Sequence, residues 1–260
     1  MTFSFFPTVL DQSLIYFRST FSENSLRSVQ TFISEFFPPL KPGEILNVYT
    51  GTNEFEPLDS PYSYCDYLQT QHDIFVSSDF YKQRKSESQL LYSNIFQQLN
   101  ITQGTNDWLS LGNWLSSFSC YQQKLNLSFD DSILNRTLED AAFDSATFFE
   151  TLEPGAAGSI PWYLVLSNIE KTVNSTSKTK FYLYFSTAET IEAFLYFIGW
   201  KTDVLPPLAS PLAIEVWENE KESYVRLVLN GDVVQFQGSD LTLFDHFAKF
   251  TRGFYSFCVK

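Results

Sequence analysis

A chain of 260 residues and 30.0 kDa suits one large domain, or a core domain carrying an insertion. Its 17 Lys and Arg face 30 Asp and Glu, a net charge of −13 that argues against the basic surface nucleic-acid binding requires. With 44% hydrophobic residues, 27 Phe, 14 Tyr and 5 Trp, it can bury a substantial core and does not have the composition of a disordered chain. In chain order, the opening MTFSFFPTVL is apolar but lacks a basic segment and a small-residue cleavage site, so it does not read as a signal peptide. Ser13 to Phe17 reads as a strand. Glu23 to Phe37 reads as a helix, with Leu26, Val29, Phe32, Ile33 and Phe36 at helical spacing, Ser22 as N-cap and Pro38-Pro39 as its stop. Ile45 to Tyr49 reads as a second strand.

From Pro57 to about Val173 the pattern changes to aromatic-rich helices, including Phe80 to Leu99, Asp107 to Phe118 and Leu138 to Leu152. Strand and helix then alternate again. Phe181 to Ser186 is a strand, and Ala188 to Trp200 is a helix with Ile191, Phe194, Leu195 and Ile198 on one face. Leu212 to Trp217 and Tyr224 to Leu229 are paired antiparallel strands, and Asn230-Gly231 is a hairpin turn. The expected fold is α/β: a mixed β-sheet core flanked by helices and interrupted by an inserted helical cap. The expected division is 1–56 for the first part of the core, 57–173 for the cap and 174–260 for the second part. No apolar run reaches the roughly 18 to 20 residues that span a bilayer; the longest, Ile191 to Trp200, carries Glu192.

Residues that carry chemistry are few. Cys65, Cys120 and Cys258 have no CxxC spacing, and His72 and His246 lie far apart, so a Cys/His metal site has few ligands. There is no GxSxG, no HExxH and, with 10 Gly, no phosphate-cradling loop, so the reading includes no cofactor and no metal. Asn100, Asn126, Asn135 and Asn174 each begin an N-x-S/T sequon and are glycosylation candidates.

Two stretches are more specific. The first is Tyr16-Phe17-Arg18-Ser19-Thr20, followed by Leu26, Ser28 and Phe37-Pro38-Pro39. The second runs from Tyr182 to Gly231: a strand ending at Ser186, a helix ending at Gly199, Leu205-Pro206-Pro207-Leu208-Ala209-Ser210, then Leu212 to Val216 and Tyr224 to Gly231. Together they resemble the histidine acid phosphatases, in which an RST segment follows a strand, and an HD-type strand end precedes a PPxAS stretch and a hairpin. The resemblance implies an α/β phosphatase fold. It also implies a Cys65–Cys258 disulfide, with Cys120 left as a free thiol because Pro211 stands in its usual partner's region. Three isolated buried cysteines in a reducing compartment are the plain alternative.

In that family a histidine in an RHGxRxP motif attacks phosphorus, arginines neutralise the phosphoryl oxygens and a carboxylic acid protonates the leaving alcohol. This sequence has no RHG, and neither His72 nor His246 matches the nucleophile. Against the HD form of the second motif, Ala188 stands at the histidine and Glu189 at the proton donor; against the HAE form, Thr187 replaces the histidine. Arg18 matches a phosphate-binding arginine, and Asn24 stands where a second one would be. The plain reading of Arg18 is an ion pair with Glu189. The resemblance also places a central strand beside Phe181 to Ser186 that this sequence lacks. A second polypeptide, a shifted strand or upstream sequence could fill that place.

The leading expectation is a degenerate phosphatase retained as a structural or binding subunit, in a homodimer or larger protein assembly. The alternative is an acid or inositol-phosphate phosphomonoesterase whose RHG segment lies upstream. A third is an unrelated acidic α/β binding module. The resemblance points to the secretory pathway, extracellular space or a lysosome-like lumen, with an intracellular complex as the other possibility.

Overall fold

The computed structural model describes residues 11–37, 45–52, 55–59, 65–99, 111–112, 114–117, 131–152, 156, 158–202 and 204–253. Cys120, Cys258, Asn100, Asn126, Pro38-Pro39 and the opening ten residues lie outside them, as does half of the helix expected over 107–118, whose described residues 111–112 and 114–117 are helical.

Strand β1, Ile15–Ser19, begins two residues later than expected because alternation sets it: Ile15, Phe17 and Ser19 turn inward. They pack under α1, Glu23–Phe36, whose Val29, Phe32 and Ile33 form its apolar stripe. Ser22 caps α1 as predicted, accepting from Ser25 N at 3.3 Å. β2 shortens to Val48–Tyr49 and pairs in parallel with β1 through Phe17↔Val48 and Arg18↔Tyr49. On its other side β1 pairs in parallel with β3, Phe181–Phe185, over all five residues, from Ile15↔Phe181 to Ser19↔Phe185. Among the described residues β1 thus lies between β2 and β3, and the order is β2-β1-β3.

The middle of the chain builds a helical layer: α2, Asp66–Ser77; α3, Asp79–Leu99; and α4, Asp131–Thr151, which starts well before the expected Leu138. Their shared core gathers Leu68, Phe75, Tyr92, Ile95, Leu115, Phe148 and Phe149. α5, Ser159–Val173, packs instead against the second core, where Trp162 is fully buried and donates Nε1–H to Phe194 O at 3.1 Å. α6, Ala188–Phe197, ends earlier than expected. Gly199 at φ 81° closes it in a Schellman turn, with Trp200 N–H on Leu195 O at 2.9 Å and Gly199 N–H on Tyr196 O at 3.0 Å.

β4, Leu212–Glu218, and β5, Ser223–Leu229, form the predicted antiparallel pair, with Leu212 opposite Leu229 and Glu218 opposite Ser223. Asn230 (φ 52°) and Gly231 (φ 95°) make a two-residue turn into β6, Asp232–Val234, as their left-handed preference dictates. β7, Thr242–Leu243, and α7, Phe244–Gly253, complete this half, and Phe247 of α7 meets Trp162 at 5.1 Å. The fold is α/β, with helices and, among the described residues, two sheets. Among the described residues no helix is long and apolar enough to cross a membrane.

Candidate functional site

Arg18 sits near the end of β1, and α6 starts just past the end of the neighbouring β3. The parallel register sets Arg18 opposite Tyr184, so the arginine and the Ser186–Glu189 turn lie at the same end of the sheet. Residues 51–52 and 55–58 bridge them, through Glu56 to Arg18 and through Leu58 to Ser186 and Thr190.

Glu56 supplies the contact that sequence reasoning missed. Its side chain is 3% exposed, and each carboxylate oxygen receives two donors. Oε1 accepts from Arg18 Nε at 3.1 Å and from Leu58 N–H at 3.1 Å; Oε2 accepts from Arg18 Nη2 at 3.0 Å and from Gly51 N–H. A bidentate fork plus two amides satisfies a carboxylate almost completely. Burial works against the charge on Arg18, but bonds from Tyr16 and Glu56 outweigh it and hold the guanidinium above its ordinary pKa. The glycine is required: a Cβ on Gly51 would collide with the backbone oxygen of Phe55 and stand 2.6 Å from Glu56 Oε2. The ion pair expected between Arg18 and Glu189 is thus replaced by one with Glu56, because the loop brings a carboxylate directly onto the fork. The only sequence cue was an acidic residue in the short apolar run Phe55-Glu56-Pro57-Leu58, behind a glycine.

The other side of the loop is tied to the second motif. Thr190 Oγ1 donates to Leu58 O at 2.7 Å and accepts from Ser186 Oγ at 2.7 Å, while Ser186 also lies against Leu58 O. Thr187 is the N-cap residue of α6 but makes no side-chain cap bond; its hydroxyl lies 3.4 Å from that of Thr190. Ala188 packs on Ala141, Ala142 and Leu205. Glu189 is buried in the first turn of α6, 8% exposed. Asn24, at the second arginine's place, is exposed.

Three residues along α6, Glu192 is fully buried and accepts from Ser145 Oγ of α4 at 2.5 Å, joining the helical layer to the core. Its Oε1 has no hydrogen-bond partner among the described residues. Burial pushes this carboxyl up to about 8, opposed by the Ser145 bond and reinforced by the charge of Glu189. A separate buried cluster ties α3 to α4: Asp140 takes Arg84 Nη2 at 2.6 Å, Ser88 Oγ at 2.5 Å and Tyr92 OH at 3.0 Å, with Arg136 Nε at 3.3 Å.

The remaining residues singled out in the sequence lie apart from this loop. His72 is on α2, edge-on to Phe148 at 5.1 Å, and His246 is exposed on α7, 2.9 Å from Gln237 Oε1. Cys65 is buried at the N-cap of α2. Asn174 is exposed in the turn closing α5, and Asn135 is exposed on α4, although Thr137 of its sequon is buried. Among the described residues no three His, Cys, Asp or Glu side chains are grouped to hold a metal ion.

No protein-family model matches the chain. It is 23% identical over 236 residues to counting factor 60 of Dictyostelium discoideum, covering 88% of this chain and 56% of that protein. The chain therefore spans little more than half the length of that curated relative. Among solved structures, it superimposes on the phytase of Citrobacter braakii with a TM-score of 0.59 and 10% identity, over 95% of this chain and 81% of that one. The phytase of Klebsiella sp. ASR1 gives 0.59 and 12%, over 92% and 76%. At these identities the likeness is one of fold, and the fold is that of the histidine acid phosphatases.

Proposed function

We propose that this chain is a histidine acid phosphatase-like protein that no longer turns over phosphomonoesters and serves as a structural or binding subunit. One observation carries the reading: Arg18, the residue matching a phosphate-binding arginine, spends its fork on the buried Glu56. A phosphoryl group would have to displace a carboxylate already held by four donors. The altered turn at Thr187, Ala188 and Glu189 supports it, since no imidazole stands there to share the charge of a transferring phosphoryl group. Under this reading Glu189 and Arg18 are remnants of a site, and the helical segment 57–173 is a cap on a core formed by 1–56 and 174–260. α5, the last helix of that segment, packs on the core side.

The pairing of Cys65 with Cys258 belongs to the same proposal. Cys65 is buried. Peptide mapping without reduction checks it. An oxidising, secretory or lysosome-like location, glycans at the exposed Asn174 and Asn135, and assembly with protein partners complete the reading.

The second reading, an active phosphomonoesterase, draws on the 56% coverage of counting factor 60, which leaves room in a longer protein for a further segment. Assay of the longest natural product on aryl phosphates and phytate at acid pH separates the two. Absence of turnover is expected; acid-range turnover that depends on Glu189 establishes the enzyme.

A further inference from the structure

We infer that Arg18 and the backbone amides of Gly51 and Leu58 form a built oxyanion cradle whose resident ligand is the chain's own Glu56, and that a free carboxylate of matching size enters it when that side chain is shortened. The inference rests on the reading above in one respect, the commitment of Arg18 to Glu56. It adds that the site is kept shut by an internal ligand.

The donors are fixed by contacts that do not involve the carboxylate. β1 holds the Arg18 backbone between two strands, opposite Tyr49 on one side and Tyr184 on the other, and its guanidinium also bonds the Tyr16 side chain. Leu58 is anchored through its carbonyl by Thr190 and Ser186. Gly51 stands two residues past the end of β2 at Tyr49 and directly before the Thr52–Phe55 bridge, whose two backbone bonds are 3.2 Å each. If the carboxylate left, Arg18 and both amides would remain aimed at one small volume, and buried donors without an acceptor are costly. The donors fall in two pairs, one guanidinium N–H and one amide N–H for each oxygen. That arrangement selects a planar, singly charged carboxylate. In the native chain the tethered Glu56 has a high effective concentration, so dissolved anions do not compete with it.

The test is thermal unfolding of the full chain at constant ionic strength, with sodium chloride replaced stepwise by sodium acetate. Glu56→Ala removes the Cγ and the carboxylate, and acetate supplies both. Glu56→Gly removes the Cβ as well, and propionate is then the matching probe. Expected are a lower Tm for Glu56→Ala in chloride, a saturable rise with acetate concentration, a preference for acetate in the Ala variant and for propionate in the Gly variant, and no acetate-specific rise in the native chain or in Arg18→Met/Glu56→Ala. If Glu56→Ala does not fold in chloride, refolding yield in acetate against chloride reads the same effect. Equal responses to acetate and chloride, or a rise that survives loss of Arg18, overturn the cradle. Turnover of phosphomonoesters by the native protein would overturn the proposed function and leave the acetate result untouched, so the two failures are distinguishable.

Discussion

Glu56 and Glu192 are both buried carboxyl groups, yet they meet opposite surroundings. Glu56, in the loop over the sheet end, faces a guanidinium and two amides. Glu192, inside α6, faces one hydroxyl, that of Ser145, and has the acidic Glu189 a turn away. What differs between the two places is the count of donors: four for Glu56 and one for Glu192. The first carboxylate is a ligand that immobilises an arginine. The second, its pKa raised by burial, joins α4 to α6 through the Ser145 hydroxyl. A buried acid near a family's catalytic turn is therefore no evidence of catalysis until its partners are counted.

The comparison can be broken at its strongest bond. Arg18→Met leaves Glu56 charged, buried and short of its fork, and should lower stability by about 3–5 kcal/mol in urea unfolding. Loss within experimental error would mean the pair contributes little to the fold. A smaller effect is expected at Gly51→Ala, where the new Cβ crowds the carboxylate; about 1–3 kcal/mol should be lost as the loop shifts.

The Glu192 side is sharpened by pH. A carboxyl whose folded pKa is raised from 4.5 to about 8 binds its proton more tightly folded than unfolded. Its stabilisation is complete below about 4.5 and is lost as pH rises toward 8. The slope from this group is at most about 1.4 kcal/mol per pH unit. Glu192→Gln keeps the shape without the titration, so its stability curve should be flatter between pH 5 and pH 8, roughly these limits following from the same shift. It should cross above the native chain at the alkaline end. Parallel curves for the two proteins would show that Glu192 is already ionised. The smallest effect belongs to Gly231→Ala, at φ 95°, where loss of the left-handed turn residue should cost roughly 1 kcal/mol by thermal unfolding.

Local signals were readable in the sequence. The Asn230-Gly231 turn, the Ser22 cap and the paired strands β4 and β5 follow from residues a few positions apart, and each is where that spacing puts it. The resemblance carried by Arg18-Ser19-Thr20 and by Tyr182 to Gly231 led to the right fold. Boundaries moved where tertiary pairing outweighed composition: β1 extends to Ser19 because its alternate residues bury against α1, and α6 stops where Gly199 adopts a positive φ. The site's main contact was not readable. Glu56 lies 38 residues from Arg18, and nothing local distinguishes it from any loop acid. The expected partner, Glu189, rests on a family motif. The chain instead brings Glu56 in through Gly51 and Leu58, whose part is played by backbone amides that sequence does not display.

The most direct test of the account is the Nε–H signal of Arg18 in a 15N spectrum of the native protein, assigned by comparison with Arg18→Met and followed while inorganic phosphate is added. If Glu56 owns the fork, the signal is present without added anion and does not move as phosphate is titrated. A saturable shift of that signal would show that phosphate reaches Arg18 past Glu56, and would contradict the account.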